Sequence, residues 1–435
     1  MFRTRIAPFL MVLLALGLCG ILGASLYNLP FVQDRVAWRI SEMRARIKYA
    51  ISPPEEAVFT PNPTIAAIVQ ATLDSFTPTP TISIPTPTHD TGPPSTSTIP
   101  PSPTPTPTPI PASVQLGGIV HEYQKWNNCG PANLSMALSF WDWPGDQRDT
   151  AAFLKPNQRD KNVMPYEMAA FVEEETDLDV IVRVGGDIEL IKRFIAAGFP
   201  VLVEKGFEGS GFSGWMGHYE VLNGYDDDRT RFYAQDSYIM PDLPVLYEDL
   251  EEYWRHFNYT YLVIYPPADE ATVLEILGPH ADETYNFQFA AQKASDEIFA
   301  LSGRDQFFAW FNRGTNLMRL QDYGGAALAY DSAFQVYAQL DPEEVNVPWR
   351  MVWYNTGPYW AYFYTGRYHD VINLASTTLN AMSEQVLEES YYWRAMAKEA
   401  LGDVTGAIED LRMSVKVHPG WQPGLIQLAR LGAAP

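Results

Sequence analysis

Thr77 to Ala112 cannot join a folded core. The stretch is built almost wholly from Pro, Thr, Ser and Ile, closes on Pro-Ser-Pro-Thr-Pro-Thr-Pro-Thr-Pro-Ile-Pro, and carries Asp90 as its only formal charge at neutral pH. Such a composition has too little apolar surface to offset ordering and too few backbone donors for regular structure, so it favours extended polyproline conformations. At about 3.1 Å per residue it could hold two bodies on the order of 100 Å apart. The chain is thereby divided into an amino-terminal part and a globular carboxy-terminal part, and 59–113 is expected to be a disordered stalk touching neither. Ser/Thr/Pro stalks are typical of surface proteins.

Before the stalk, Ile6 to Tyr27 is uncharged and follows Arg3 and Arg5. Such a length suffices to cross a hydrocarbon core. Residues 1–28 are therefore expected to be a transmembrane signal anchor. A cleaved signal peptide is the rival, with Gly23 and Ala24 near a possible cut, and the bulky Leu18 makes Leu16-Gly-Leu-Cys19 a poor lipoprotein box. Residues 29–58 carry Arg35, Arg39, Arg44, Arg46 and Lys48 around an apolar stripe of Val36, Ile40, Met43, Ile47 and Ala50. This pattern predicts a basic juxtamembrane helix that rests on anionic headgroups, pairs with a copy of itself, or is simply solvated. The basic residues argue for the cytoplasmic side. The stalk argues for the outside, and a single-pass protein with an extracytoplasmic globular part is the expectation.

The net charge of −22 leaves no basic stripe beyond the membrane-proximal segment, so nucleic acid is not an expected partner. Cys19 and Cys129 are the only cysteines, which excludes a disulfide framework. Neither a CxxC nor a Cys/His cluster offers a metal site, and no cofactor is expected.

Residues 114–267 read as one α+β unit, helices first and antiparallel strands second. Leu134, Ala137, Leu138 and Trp141 recur at helical spacing directly after Cys129. Asn127 or Asn128 is a candidate cap, with Pro131 in the first turn. A thiol at that position feels the positive end of the helix dipole, which favours the attacking thiolate; the plainer reading is a cysteine filling a small apolar site. A second helix is expected near Asp187 to Ala197. Strand patterns follow at Phe199 to Glu204, Gly217 to Tyr225, Arg231 to Asp236 and Tyr259 to Tyr265, with Asp226-Asp-Asp-Arg-Thr230 as a hairpin turn rather than a calcium loop. Alternation puts His218, Glu220 and Leu222 on one face. A thiol nucleophile needs a base that returns its proton to the leaving amine, and a group that orients that base. His218 and Asp236 fall on neighbouring strands and can supply both. Gly209 to Gly217 reads as a loop before His218, either a flap or an ordinary connection.

With these residues in view, the chain resembles the papain-like bacteriocin-processing cysteine peptidases (family thirty-nine), especially their stand-alone relatives. The matching segments are Gln124 with Asn127-Asn-Cys129-Gly-Pro-Ala132, then Pro200-Val-Leu-Val203, Gly217-His-Tyr219, Asn223-Gly-Tyr225-Asp-Asp, and Gln235-Asp236-Ser-Tyr238. The resemblance implies a papain-like fold, a peptide or protein substrate, Cys129 as nucleophile, His218 as base and acid, and Asp236 orienting it. It also implies Gln124 as an oxyanion-hole donor beside the Cys129 N–H, although Gln124 lies one position nearer the cysteine than the family spacing. No Walker sequence or multi-span domain accompanies it. A catalytically dead peptide-binding scaffold, and amide hydrolysis or transfer on a cell-wall crosslink, are the alternatives.

Residues 268–435 read as helical. Gln321-Asp-Tyr-Gly-Gly-Ala326, Gly366-Arg-Tyr-His-Asp-Val371 and Gly402-Asp-Val-Thr-Gly-Ala407 align at offsets of 45 and 36 residues. These bracket the period of about 34 of tetratricopeptide repeats. Each follows an aromatic-rich helix: Trp310 to Leu320, Trp353 to Tyr364, and Tyr391 to Leu401. The expectation is about three degenerate tetratricopeptide-like repeats with a surface for a protein partner; the alternative is a generic helical bundle.

Overall fold

The computed structural model describes residues 110–435 except 158, 161, 209–213 and 343–344, together with Met43, Ile47 and Phe59. The expected membrane span and most of the basic helix lie outside the described residues, as does most of the loop before His218. Among the described residues no helix is long and apolar enough to cross a membrane.

The first unit is a mixed α/β domain with an antiparallel sheet. Its strands are β1 (Ser113–Gln115), β2 (Asp179–Arg183), β3 (Val201–Phe207), β4 (Met216–Asp226), β5 (Arg231–Gln235), β6 (Leu243–Leu246) and β7 (Tyr261–Tyr265). They pair in the order β2-β7-β3-β4-β5-β6, with β1 against the far end of β4. Three helices precede the main sheet: α1 (Cys129–Ser139), α2 (Gln147–Leu154) and α3 (Pro165–Glu175). Then α4 (Ile188–Ala196) is capped by the Asp187 carboxylate, which accepts from the Leu190 N–H, and α5 (Tyr247–Arg255) leads into β7. The sheet has a core on each side. Leu134, Met136 and Leu138 of α1 pack on Leu202, Tyr219, Val221 and Leu262. Ile191, Phe194 and Ile195 of α4 pack on Val201, Val203, Leu222 and Val263.

Three sequence expectations need correction here. The stalk does not run to residue 113. Ile110 packs on the α4-side core, the Tyr225 hydroxyl donates to Pro111 O at 2.6 Å, and the Asp227 N–H donates to Ala112 O. Composition hid this because a proline-rich strand end can still accept hydrogen bonds. Nor is the stalk free of contacts at its other limit. Phe59 is buried against Phe334 and Tyr362 of the helical half, ring centroids 5.6 and 5.5 Å away. Finally, β2 and β6 went unseen: Asp179–Arg183 is charged at both ends, and Leu243–Leu246 contains a proline, which suits an edge strand.

The second unit is a helical carboxy-terminal region: α6 (Glu270–Leu277), α7 (Glu283–Ala300), α8 (Gly303–Arg319), α9 (Tyr323–Tyr337), α10 (Met351–Tyr354), α11 (Gly357–Tyr364), α12 (Tyr368–Ala381), α13 (Glu388–Ala400), α14 (Val404–Val417) and α15 (Gln422–Arg430). The three aligned turns are conformationally equivalent. Gln321, Gly366 and Gly402 all have positive φ, at 63°, 75° and 90°. The next N–H in each case reaches back to Leu317 O, Tyr362 O and Lys398 O. This is how a helix ends when its last carbonyls need a donor and the chain must reverse. The expected helix from Trp353 to Tyr364 is broken at Asn355-Thr356. Pro358 accounts for the break, because it has no N–H for Tyr354 O and its ring would collide with that carbonyl, whereas it suits the first turn of a new helix.

The two units share a core. Trp215 and Phe257 stack at 5.6 Å, and His256 lies 3.8 Å from the Phe308 ring of α8. Asn258 and Asn316 exchange side-chain hydrogen bonds at 2.7 and 3.0 Å, and Arg350 donates to Trp215 O at 2.7 Å.

Candidate active site

Cys129 is the first residue of α1. Asn128 occupies the cap position but does not cap. Its amide donates to Gln147 Oε1 at 3.0 Å instead, and Asn127 takes a left-handed φ of 52° that an asparagine tolerates. Gln147 holds the whole approach: its Oε1 accepts from the Lys125 N–H at 2.8 Å and its Nε2 donates to Tyr123 O at 2.9 Å. The loop entering the helix is therefore fastened by a side chain on α2, not by a local cap.

What brings this helix start to His218 is an opening along β4. One edge of β4 pairs with β3 from Met216 to Leu222, while β5 joins the other edge only from Val221 onward. At Tyr219 the start of α1 takes the place of a neighbouring strand. Asn133 Nδ2 lies 2.6 Å from Tyr219 O, and the Tyr219 N–H hydrogen-bonds the Cys129 sulfur. Strand alternation assigns Tyr219 and Val221, not His218, to the face that packs on α1. The His218 ring nevertheless meets the thiol, because Cys129 sits at the strand's edge rather than over its face.

The His218 ring and the Cys129 thiol are hydrogen-bonded. His218 Nε2 lies 3.1 Å from Asp236 Oδ2, which leaves Nδ1 for the sulfur. Phe207 stacks on the opposite side of the ring at 4.7 Å. Asp236 follows β5, is fully buried, and its Oδ1 accepts from the Tyr238 and Ile239 N–H groups at 2.7 and 2.8 Å. The carboxylate is therefore fixed by backbone before it meets the imidazole.

The electrostatics favour a charged pair. Burial pushes the His218 ring down, but the charge and hydrogen bond of Asp236, with the Cys129 sulfur, raise it to about 10. Burial pushes the Cys129 thiol up, yet the His218 hydrogen bond and charge, the Lys155 charge and the Tyr219 N–H hold it below its ordinary value. Burial likewise raises Asp236, and the His218 charge and the two backbone donors bring it to about 2. At neutral pH the ring is imidazolium and Asp236 a carboxylate, and this neighbouring positive charge favours the thiolate form of the sulfur. Glu204, buried next to Tyr219, is pushed well above the usual carboxylate range by burial and adds no opposing charge.

Gln124 stands beside this group. Its N–H donates to Ser237 O at 2.8 Å, and its Oε1 accepts from the Ser237 hydroxyl at 2.9 Å, leaving Nε2 as the donor end. Sequence reasoning missed Asn133, which is fully buried and ties the site together, with Nδ2 also 2.9 Å from Cys129 O and 2.9 Å from Ser237 Oγ. The available signal was an asparagine one turn after Cys129 on an otherwise apolar stretch. It also missed Tyr354 of α10, whose ring approaches Gly217; a Cβ there would lie 2.7 Å from Phe257 and 3.0 Å from Tyr354. The acidic turn at 226–228 is occupied by ion pairs: Asp226 with Arg229 at 2.7 Å and Asp227 with Lys192 at 2.8 Å.

A family model described as the Peptidase_C39 like family matches residues 109–262. Among solved structures, the chain is similar to a crystal structure described as a C39-like peptidase from Bacillus anthracis, at 17% identity and a TM-score of 0.30, covering 35% of this chain and 96% of that one. No curated protein matches the chain. The family match suggests a cysteine-type peptidase over the α/β domain.

Proposed function

We propose that residues 110–267 are a papain-like cysteine peptidase that hydrolyses peptide bonds through Cys129, His218 and Asp236. The observation that carries this reading is the His218–Asp236 contact of 3.1 Å on a ring whose other nitrogen serves the Cys129 thiol. The Cys129 thiolate attacks the scissile carbonyl carbon, and the oxygen takes the negative charge. Gln124 Nε2 and the Cys129 N–H donate to that oxygen. His218 then gives its proton to the leaving nitrogen as the C–N bond breaks, and a thioester remains. A water loses a proton to His218, attacks the thioester, and the proton returns to sulfur as the acid leaves. Asp236 keeps the ring oriented throughout and stabilises it whenever it is protonated.

Cys129→Ala and His218→Ala in the full chain should each abolish thiol-dependent peptide cleavage while leaving the circular dichroism spectrum unchanged. Undiminished cleavage by either variant would refute the assignment.

The reading extends to the rest of the chain. Ile6 to Tyr27 anchors the protein with its globular part outside, and the helical region acts as a tetratricopeptide-like array that recruits a protein substrate or partner. The uncharged span, the stalk and the three equivalent turns support this. Protease added to intact cells should cut within 77–109 and destroy the full-length form. Full protection, lost only on lysis, would place the protein inside.

A further inference from the structure

A buried group of acids and one imidazole lies where the two units meet, about one loop away from Cys129 and unused by the peptidase chemistry. Three elements contribute. Asp160 lies between α2 and α3, Glu388 and Glu389 open α13, and His418 ends α14. One ligand atom from each of Asp160, Glu388 and His418 lies within 4.8 Å of the others. Asp160 and Glu388 are buried, and His418 Nδ1 is 2.7 Å from Glu388 Oε1. The loop is seated there by Asn157 Nδ2, which donates to Val417 O at 2.9 Å, next to His418.

An acidic cluster alone is a common surface feature, but this one is inside and incomplete. Glu389 is 7% exposed, and its Oε2 is buried with no hydrogen-bond partner. The Glu388 and Asp160 charges bear on it, and its own charge bears on Glu167. An uncompensated buried carboxylate oxygen is costly unless something neutralises it.

We propose that Asp160, Glu388 and His418 bind one divalent first-row cation of the Zn2+ class. Tetrahedral ligands of one zinc ion at about 2.0–2.2 Å lie roughly 3.3–3.6 Å from each other, so the cluster is already near that size and the His418–Glu388 pair, now hydrogen-bonded at 2.7 Å, opens slightly to admit the ion. One imidazole among carboxylates favours Zn2+ over Ca2+ or Mg2+, which prefer an all-oxygen set. The carboxylates neutralise the cation, and the proton between His418 and Glu388 leaves as the imidazole nitrogen becomes a ligand. The ion would join the α2–α3 loop to two helices of the other unit. That loop begins at Lys155, whose Nζ donates to Asn127 O two residues before Cys129. The site is therefore structural and sits beside the catalytic machinery without entering it, so it does not depend on the peptidase reading.

The test uses full-length protein carrying Cys19→Ala and Cys129→Ala, which removes both thiols as rival ligands. After equilibration with Zn2+ and gel filtration, one equivalent should remain bound and the melting temperature should rise. His418→Ala or Glu388→Gln should weaken uptake roughly 100-fold or more. Should either variant fail to fold, Co2+ titrated into the protein with the site unmutated decides instead. A saturable visible absorption at one equivalent, displaced by Zn2+, is expected. No stoichiometric uptake, uptake unchanged in both folded variants, no saturable Co2+ absorption, or preference for Ca2+ would overturn the assignment.

Discussion

In the proposed mechanism the thiolate form of Cys129 is favoured because its positive partner is held on both sides. Asp236 is fastened by two backbone N–H groups, so its carboxylate cannot turn away from His218. A ring raised to about 10 keeps its proton across neutral pH and still has a thiolate to pair with. The sign of the pH dependence follows. Lowering pH protonates the sulfur only below the ordinary thiol range, and raising pH through about 10 strips the proton that the leaving nitrogen needs. Amide cleavage should therefore fall on the alkaline side near pH 10, whereas alkylation of Cys129 should not show that alkaline loss. Asp236→Asn retains an acceptor for the backbone donors but removes the charge. It should lower kcat/KM by about 10²–10⁴ and move the alkaline limb to lower pH. An unshifted limb would mean that Asp236 does not set the charge on His218.

At the level of elements, the site depends on a helix substituting for a strand. Asn133, Cys129 and Ser237 satisfy the β4 backbone and its surroundings at Tyr219, where sheet pairing stops. The helical turns offer an independent check on equivalence. Gln321 holds a left-handed φ of 63° where the other two turns have glycine. A side chain there costs roughly 1–2 kcal/mol. Gln321→Gly should raise stability by up to about 1 kcal/mol, after the loss to glycine's freedom in the unfolded chain. Gly402→Ala should lower stability by about 1 kcal/mol, and since no atom lies within 4 Å of the added Cβ, that change is conformational alone. Denaturant titration of both variants checks the pair; shifts of the same sign would show that the turns are not equivalent.

For the whole molecule, the two units behave as one body around Trp215, His256, Phe257 and Phe308. Gly206 admits the crossing, because a Cβ there would stand 1.9 Å from His256 Nδ1. The strand that carries His218 begins at this junction, and Tyr354 closes on it from the helical side. A fragment ending at Pro267 would expose the His256 and Phe257 rings and leave Asn258 without Asn316. It should melt well below the full chain or aggregate, and should lose alkylation selectivity at Cys129. Equal melting temperatures would refute this dependence.

The sequence by itself determined the local pieces. A helix starting at Cys129, strands around His218 and before Asp236, and three turns with a common pattern are each encoded by residues close in the chain, through periodicity, turn chemistry and capping. The tertiary structure alone decided what these pieces meet. Strand alternation would have kept His218 off the α1 face, and only the gap left where β5 stops pairing lets α1 reach the strand edge. Asn133 gained two partners from distant segments, Phe59 found a pocket beyond the proline-rich stretch, and Asp160 came to lie with Glu388 and His418. Nearby residues fix backbone conformation because those interactions are local. Which edges stay open and which buried charges converge depends on how whole elements pack, and no spacing along the chain encodes that.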